Sequence, residues 1–257
     1  IRRPPRSTPS NSSAASDVYK RQELGSGPGA LTQALVLSGR RVRVIERDKR
    51  LLRVLEKSLP LKKRGDLEIM EGDIKKENWW WDEPYVLVGN IPYNLSGLII
   101  RKVTQIEPSP EAVVLMVQKE VGQKLTAKVP ELSLISVAAQ LWGEAELVLN
   151  VPKDCFWPRP KVDSQLVLMT PYERGRALSL AAREETMGLA KEFFRFKRKQ
   201  VGGVARRLYG EDAKKVIKLM EAVGIAPTSR PQEVGPSKWL ALAEGLKSQE
   251  LKVKNIF

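Results

Sequence analysis

ELGSGPGALTQALVLSGRRVRVIERD, residues 23–48, holds a glycine-rich turn, a helical stretch and an apolar strand that ends in an acid. Glycines at 25, 27 and 29 let the backbone turn tightly and come close to a ligand. The helix behind them, expected over 30–38, offers free N–H groups at its start. VRVIE at 42–46 is rich in β-branched residues and ends in Glu46. The order is strand, glycine loop, helix, strand, and it sets the expectation for the rest of the chain.

That order repeats. LEIM (67–70), YVLVG (85–89), AVVLMVQ (112–118), ELVLNV (146–151) and QLVLMT (165–170) read as further strands. They are Val/Ile/Leu runs with little strict alternation, which suits a parallel sheet covered on both faces. Helical stretches fall at 48–58, 95–105, 118–127 and 132–142. The expected fold class is α/β, a Rossmann-like doubly wound sheet with helices on both faces. After Pro171 the strand-like runs stop, and basic stretches with helical spacing follow. We therefore expect three parts: a disordered tail over 1–22, an α/β domain over 23–172, and a small helical domain over 173–257.

The tail, IRRPPRSTPSNSSAASDVYKRQ, is rich in Pro, Ser and Arg and has almost no apolar periodicity. It reads as a non-native segment fused in frame. The whole chain has a net charge of +14, and removing the tail still leaves +10. Such a balance points to a polyanionic partner, nucleic acid first. With one cysteine, Cys155, no internal disulfide or cysteine-built zinc site can form, and a reducing compartment is expected. Cys155 is expected to be at least partly buried. Histidine is absent, which removes every His-based triad. No apolar run reaches the roughly 18 residues of a membrane span. Trp79-Trp80-Trp81 reads as a cap on the sheet or a packing element against a helix.

Four positions at strand ends converge. Gly25 and Gly27 follow the first strand, Glu46 ends the second, Asp73 follows the third in MEGD, and Asn90 ends the fourth. In open α/β sheets ligands bind at that edge. A carboxylate at Glu46 can accept ribose hydroxyls, and one at Asp73 can accept from an adenine amine. The glycines alone would equally suit a nicotinamide site. A nicotinamide site leaves NIPY, residues 90–93, and the basic charge unexplained. An exocyclic amine on a purine is a poor nucleophile, because its lone pair is delocalised into the ring. The Asn90 amide oxygen and the Ile91 carbonyl can accept its hydrogens, Pro92 stiffens the loop, and Tyr93 offers a stacking face. The pattern reads as amine methylation on a nucleic-acid base, chemistry that needs no histidine.

With these residues in place, the sequence resembles the ribosomal RNA adenine N6,N6-dimethyltransferases that modify small-subunit rRNA. ELGSGPGALT, VIERD, EGD and VGNIPYNLSG look like that family's cofactor and catalytic segments, and MVQKEVGQKL, LSLISVAAQ and VPKDCFWPRPKVDSQLV follow the same pattern. The resemblance is dense over residues 23–167. It implies a class I methyltransferase fold and S-adenosyl-L-methionine as cofactor. It implies dimethylation of two adjacent adenosines near the 3′ end of 16S-type rRNA, on an immature small ribosomal subunit. Gly25, Gly27, Glu46, Asp73 and Asn90 would hold the cofactor. Asn90, Pro92 and Tyr93 would hold and activate the base, and Phe156 would cover it. Arg195, Lys197 and Arg198, in FFRFKRK, are the candidate RNA contacts. A cytoplasmic monomer, with no metal and no membrane partner, is expected. In front of the glycine loop the resemblance breaks off. Residues 1–22 stand where the family has a Gln-Asn/His-Phe-Leu type segment and a complete first strand, so only Glu23–Gly25 of that strand is expected. The alternatives are an adenine N6-methyltransferase acting on large-subunit rRNA or DNA, and a non-catalytic RNA-binding assembly factor.

Overall fold

The computed structural model describes residues 20–58, 67–173, 175–251 and 253. The chain divides into two compact units, one running to Asn90 and including Pro110–Ala112, the other comprising Ile91–Ser109 and Val113 onward.

In the first unit the elements are β1 (Lys20–Leu24), α1 (Ala30–Leu37), β2 (Val42–Glu46), α2 (Lys49–Ser58), β3 (Leu67–Glu71) and β4 (Tyr85–Asn90). The strands lie in the order β3-β2-β1-β4, and every pairing is parallel. Parallel strands put all their carboxyl ends on one edge. Helices α1 and α2 pack with β2 around Val36, Val42, Val44 and Leu55, all fully buried. In α2, KRLLRVLEKS turns Leu52 and Leu55 inward and leaves its basic residues in water.

The first strand begins ahead of Glu23. Lys20–Gln22, assigned by composition to the tail, form the first three residues of β1 and pair with both β2 and β4. The expected boundary after residue 22 therefore falls inside a strand. A polar composition hid the strand because its long side chains are anchored along their stems. Lys20 binds Glu83 and lies over the Trp81 ring at 4.4 Å. Arg43 stacks on that ring at 3.7 Å. Trp79 is fully buried, and its indole N–H donates to the Ile74 carbonyl at 3.0 Å. The tryptophan run thus closes the end of the parallel sheet where Lys20 enters. The disorder expected before residue 20 lies outside the described residues.

In the second unit, β5 (Ala112–Gln118), β6 (Gly143–Val151) and β7 (Ser164–Pro171) follow the order β5-β7-β6. Here the parallel expectation is corrected, because β7 is antiparallel to both neighbours. The 152–163 connection holds no α-helix to carry a crossover, so β6 and β7 form a hairpin. Nor is β6 covered on both faces, since Leu147, Val148 and Leu149 are exposed. Helices α3 (Ser96–Val103), α4 (Lys119–Leu125) and α5 (Leu134–Trp142) precede the hairpin, and α6 (Leu180–Phe194), α7 (Val201–Tyr209), α8 (Ala213–Ala222) and α9 (Pro236–Ser248) follow it. Phe193 and Trp239 meet at the centre of the helical core, ring centroids 5.2 Å apart. Val137 and Leu141 of α5 belong to that same core. A line at 172/173 consequently falls within the second unit, because the later helices share their core with an earlier one. Cys155 is exposed, contrary to expectation: it sits in a single 3₁₀ turn, Lys153–Cys155, on the hairpin connection.

Candidate active site

The parallel register lines up the strand ends. Leu24 pairs with Ile45, Glu23 with Val88, and Glu46 with Glu71. Continuing that register sets Gly25 level with both Glu46 and Asn90, and Asp73 follows two residues beyond β3. Gly25, Glu46, Asp73 and Asn90, expected from sequence at one edge, are indeed brought to one edge of this unit.

Between β1 and α1 the loop is fixed from both sides. The Gly25 N–H donates to the Ile45 carbonyl at 2.9 Å. The Gly27 N–H donates to Glu46 Oε2 at 3.0 Å. Glu46 Oε1 accepts from the Arg47 and Asp48 N–H groups at 2.8 and 3.0 Å. Three of the roughly four acceptor directions of this carboxylate are thus taken by the backbone, which holds its orientation and leaves one direction on Oε2. Asp73 turns the chain after β3: its Oδ1 accepts from the Lys75 N–H at 2.9 Å. Its Oδ2 forms a long ion pair with Arg47, at 3.9 Å.

The loop has room for a ligand. A Cβ built at Gly25 or Gly27 would meet nothing within 4 Å, whereas one at Gly29 would strike Leu55 Cδ1 at 2.3 Å. Ser26 Oγ is buried and has no hydrogen-bond partner among the described residues. An orphaned hydroxyl, open space over two glycines and two oriented carboxylates fit a nucleoside carrying hydroxyls and an amine, as S-adenosylmethionine does.

Glu23 was not singled out from sequence. It is fully buried, and the Thr32 hydroxyl donates to its Oε2 at 2.6 Å. Burial pushes its carboxyl up to about 7, against the lowering effect of the Thr32 hydrogen bond, and the charge of Glu46 adds to the rise. The available signal was an acid two residues ahead of the first loop glycine.

Asn90 ends β4 exposed, and among the described residues nothing hydrogen-bonds its side-chain amide. In the second unit the chain continues through buried Ile91 to Pro92, at φ −53° and ψ 131°. The Pro92 carbonyl then accepts the Leu95 N–H at 2.8 Å, closing a 3₁₀ turn over Tyr93–Leu95. The Tyr93 hydroxyl is 2.8 Å from Ser164 Oγ at the start of β7, which pins the ring at its far end. Ser164 was missed because a sequence separation of 71 hides the contact. Phe156 is half-buried in the hairpin connection.

Arg195, Lys197 and Arg198 are exposed, beyond the end of α6. Arg195 is paired with Glu192 at 3.0 Å. The aromatics of the same stretch turn inward: Phe193 is fully buried, and Phe194 and Phe196 pack on the helical core.

Residues 19–246 match the family model described as ribosomal RNA adenine dimethylase. The chain belongs to the ribosomal RNA adenine dimethylase family. Among its relatives, the ribosomal RNA small subunit methyltransferase A of Synechococcus sp. (strain CC9902) is 36% identical over 237 residues, 87% of this chain and 84% of its own. The protein of the same name from Zymomonas mobilis is 34% identical over 227 residues, covering 86% and 78%. A crystal structure of a dimethyladenosine transferase from Plasmodium falciparum superposes with a TM-score of 0.78 at 24% identity, covering 93% of this chain and 95% of that one. That of the 23S rRNA methyltransferase ErmE gives 0.69 at 25% identity, covering 91% and 95%. The fold is that of a Rossmann-like methyltransferase. Members of this adenine dimethylase family are enzymes that take their methyl groups from S-adenosylmethionine. No helix among the described residues is long and apolar enough to cross a membrane.

Proposed function

We propose that this chain dimethylates the N6 amines of two adjacent adenosines near the 3′ end of small-subunit rRNA, acting as a cytoplasmic monomer on the immature small subunit. The observation that carries this is the placement of Asn90, ahead of Ile91-Pro92-Tyr93, in one row with Gly25 and Glu46. Membership of the adenine dimethylase family supports the base, and the names of the Synechococcus and Zymomonas relatives support the small subunit. The tethered Tyr93 and the basic surface support an RNA substrate.

Each residue has a role that its surroundings support. Gly25 and Gly27 give the cofactor close approach to the backbone. Glu46, through the free direction on Oε2, accepts a ribose hydroxyl; a second hydroxyl is accommodated when the Gly27 N–H gives way. Asp73 Oδ2 accepts from the adenine amine. When bound, S-adenosylmethionine supplies an electrophilic methyl group. The Asn90 amide oxygen and the Ile91 carbonyl accept the hydrogens of the target amine. That draws its lone pair out of conjugation with the ring. The amine releases one proton for each methyl it gains. Both acceptors are neutral, and the proton passes on to solvent. Tyr93, held by Ser164, stacks on the flipped base, and Phe156 covers its other side. In this reading residues 23–172 carry the methyl-transfer chemistry, and the helical 173–257 part contributes RNA contacts through Arg195, Lys197 and Arg198.

The test is transfer of labelled methyl groups to unmethylated small ribosomal subunits, with large-subunit rRNA and duplex DNA in parallel. The chain should label small subunits. Asn90→Ala should lose on the order of a hundredfold or more in kcat, the scale of losing one oriented polar group at a reacting centre. Labelling confined to large-subunit rRNA or to DNA would move the substrate to one of the alternatives. RNA binding without any labelling would leave an assembly factor.

A further inference from the structure

Trp157 stands apart from the other large apolar side chains. Its exposure is 97%, whereas the remaining exposed large hydrophobics among the described residues lie between 37% and 55%. Trp79, Trp81, Trp142 and Trp239 are all buried. An indole left fully in water is a surface waiting for a flat partner.

The loop that carries it is held in place. Pro152, Pro158 and Pro160 restrict φ on both sides of the ring. The Lys153 N–H donates to Asp163 Oδ1 at 3.1 Å, and the Lys119 N–H donates to the Asp163 carbonyl at 3.0 Å. Arg159 binds Asp154 at 2.6 Å. The ring is therefore presented on a preorganised loop, which lowers the ordering cost of binding. Phe156 is extended, at φ −117° and ψ 145°, so successive side chains leave on opposite sides. Phe156 turns in and is half-buried; Trp157 turns out.

At the base of the same loop lies a groove of about 400 Å³, lined in part by Lys119, Lys153 and Lys161. Its acids are already engaged: Glu120 binds Lys124 at 2.6 Å, and Asp163 takes the Lys153 N–H. None of those three lysines is in an ion pair among the described residues. A free aromatic face on a loop flanked four residues away on each side by lysines without an ion pair among the described residues, Lys153 and Lys161, suits single-stranded nucleic acid, the ring stacking on a base and the lysines meeting phosphates. A duplex hides its base faces and would leave the indole unused.

We propose that Trp157 and the groove of Lys119, Lys153 and Lys161 form a docking site for a single-stranded segment of the RNA substrate, separate from the target-base pocket. The site rests on the rRNA reading given above. It makes Trp157 a positioning residue that acts through substrate placement.

The experiment titrates a labelled, unstructured oligoribonucleotide with the full chain and with Trp157→Ala, Trp157→Phe, Lys153→Ala and Lys161→Ala, over a range of salt. Trp157→Ala should weaken binding on the order of tenfold or more and leave the salt slope unchanged. Trp157→Phe should restore most of the loss. Each lysine change should reduce the slope of log K against log salt by about 0.7. Trp157→Ala binding within twofold of the unaltered chain would overturn the proposal. So would equal loss on duplex RNA, or a loss seen only with an acidic peptide. Methyl transfer to small subunits, run beside it, keeps the two ideas apart. Trp157-dependent RNA binding without methyl transfer sinks the enzymatic reading and leaves the docking site. Methyl transfer with Trp157-independent binding does the reverse.

Discussion

Glu23 shows what one residue can carry in a glycine-loop site. Its ordinary value of 4.5 is raised to about 7, chiefly by burial. Between those two values the folded chain keeps a proton that the unfolded chain has released. This contribution to stability is therefore full below pH 4.5, falls as pH rises toward 7, and is flat beyond. The fall is on the order of 3 kcal/mol. Glu23→Gln keeps the shape and an acceptor for Thr32, but cannot ionise. Urea unfolding at pH 5 and pH 8 should show the native chain losing more stability across that range than the variant does. Equal losses would mean that Glu23 is not the group responsible. In the sequence, Glu46, Asp73 and Asn90 were legible because each ends or follows an apolar run. Glu23 was not, because an acid inside a β-strand looks no different from a solvated one until the Thr32 contact is seen.

At the scale of the element, the glycine loop separates two uses of one residue type. Gly27, at φ +53°, has open space where a Cβ would stand; Gly29, at φ +96°, lies against Leu55. Gly29 serves the packing of α1 on α2, whereas in the proposed reading the space at Gly27 serves the cofactor. Gly29→Ala should therefore lower the melting temperature sharply. The cost is about 1–3 kcal/mol from overpacking, in addition to about 1–2 kcal/mol for the left-handed backbone. Gly27→Ala should cost only the backbone part and instead weaken S-adenosylmethionine binding. Calorimetry and a thermal melt on both variants check this, and a reversed pattern would refute the division of roles. Element positions were largely legible: the ranges expected for β2 and β5 are the observed ones, because branched apolar runs end there at polar residues. Two matters were not legible. Strand direction for β6 and β7 depends on whether their connection carries a helix, and 152–163 is about as long as the shortest crossover. The inclusion of Lys20 in β1 goes with a cation–π contact to Trp81, 61 positions along the chain, which no local pattern encodes.

For the whole molecule the governing quantity is charge. If a chain at +14 binds RNA through lysines and arginines, as proposed, it displaces counterions from every phosphate it meets, so its affinity for RNA should fall steeply with salt. In the proposed reading S-adenosylmethionine is held by glycines, Glu46 and Asp73; it would then displace few counterions and should be nearly indifferent to salt. Affinity for the 3′-terminal rRNA hairpin should drop about a thousandfold between 50 and 200 mM salt if on the order of six phosphates are contacted. Cofactor affinity should stay within about twofold over the same range. Removing Arg195, Lys197 and Arg198 together should flatten the RNA curve by up to about three contacts and leave the cofactor curve where it was. The size of that flattening bears on how the RNA is held. Arg195 already binds Glu192, so a contact there must first break an ion pair, while Lys197 and Arg198 have no ion pair to break among the described residues. A flattening near two contacts would therefore mean that Arg195 stays with Glu192 when RNA binds. No flattening would place the RNA path elsewhere, on surfaces such as the lysine groove beside Trp157.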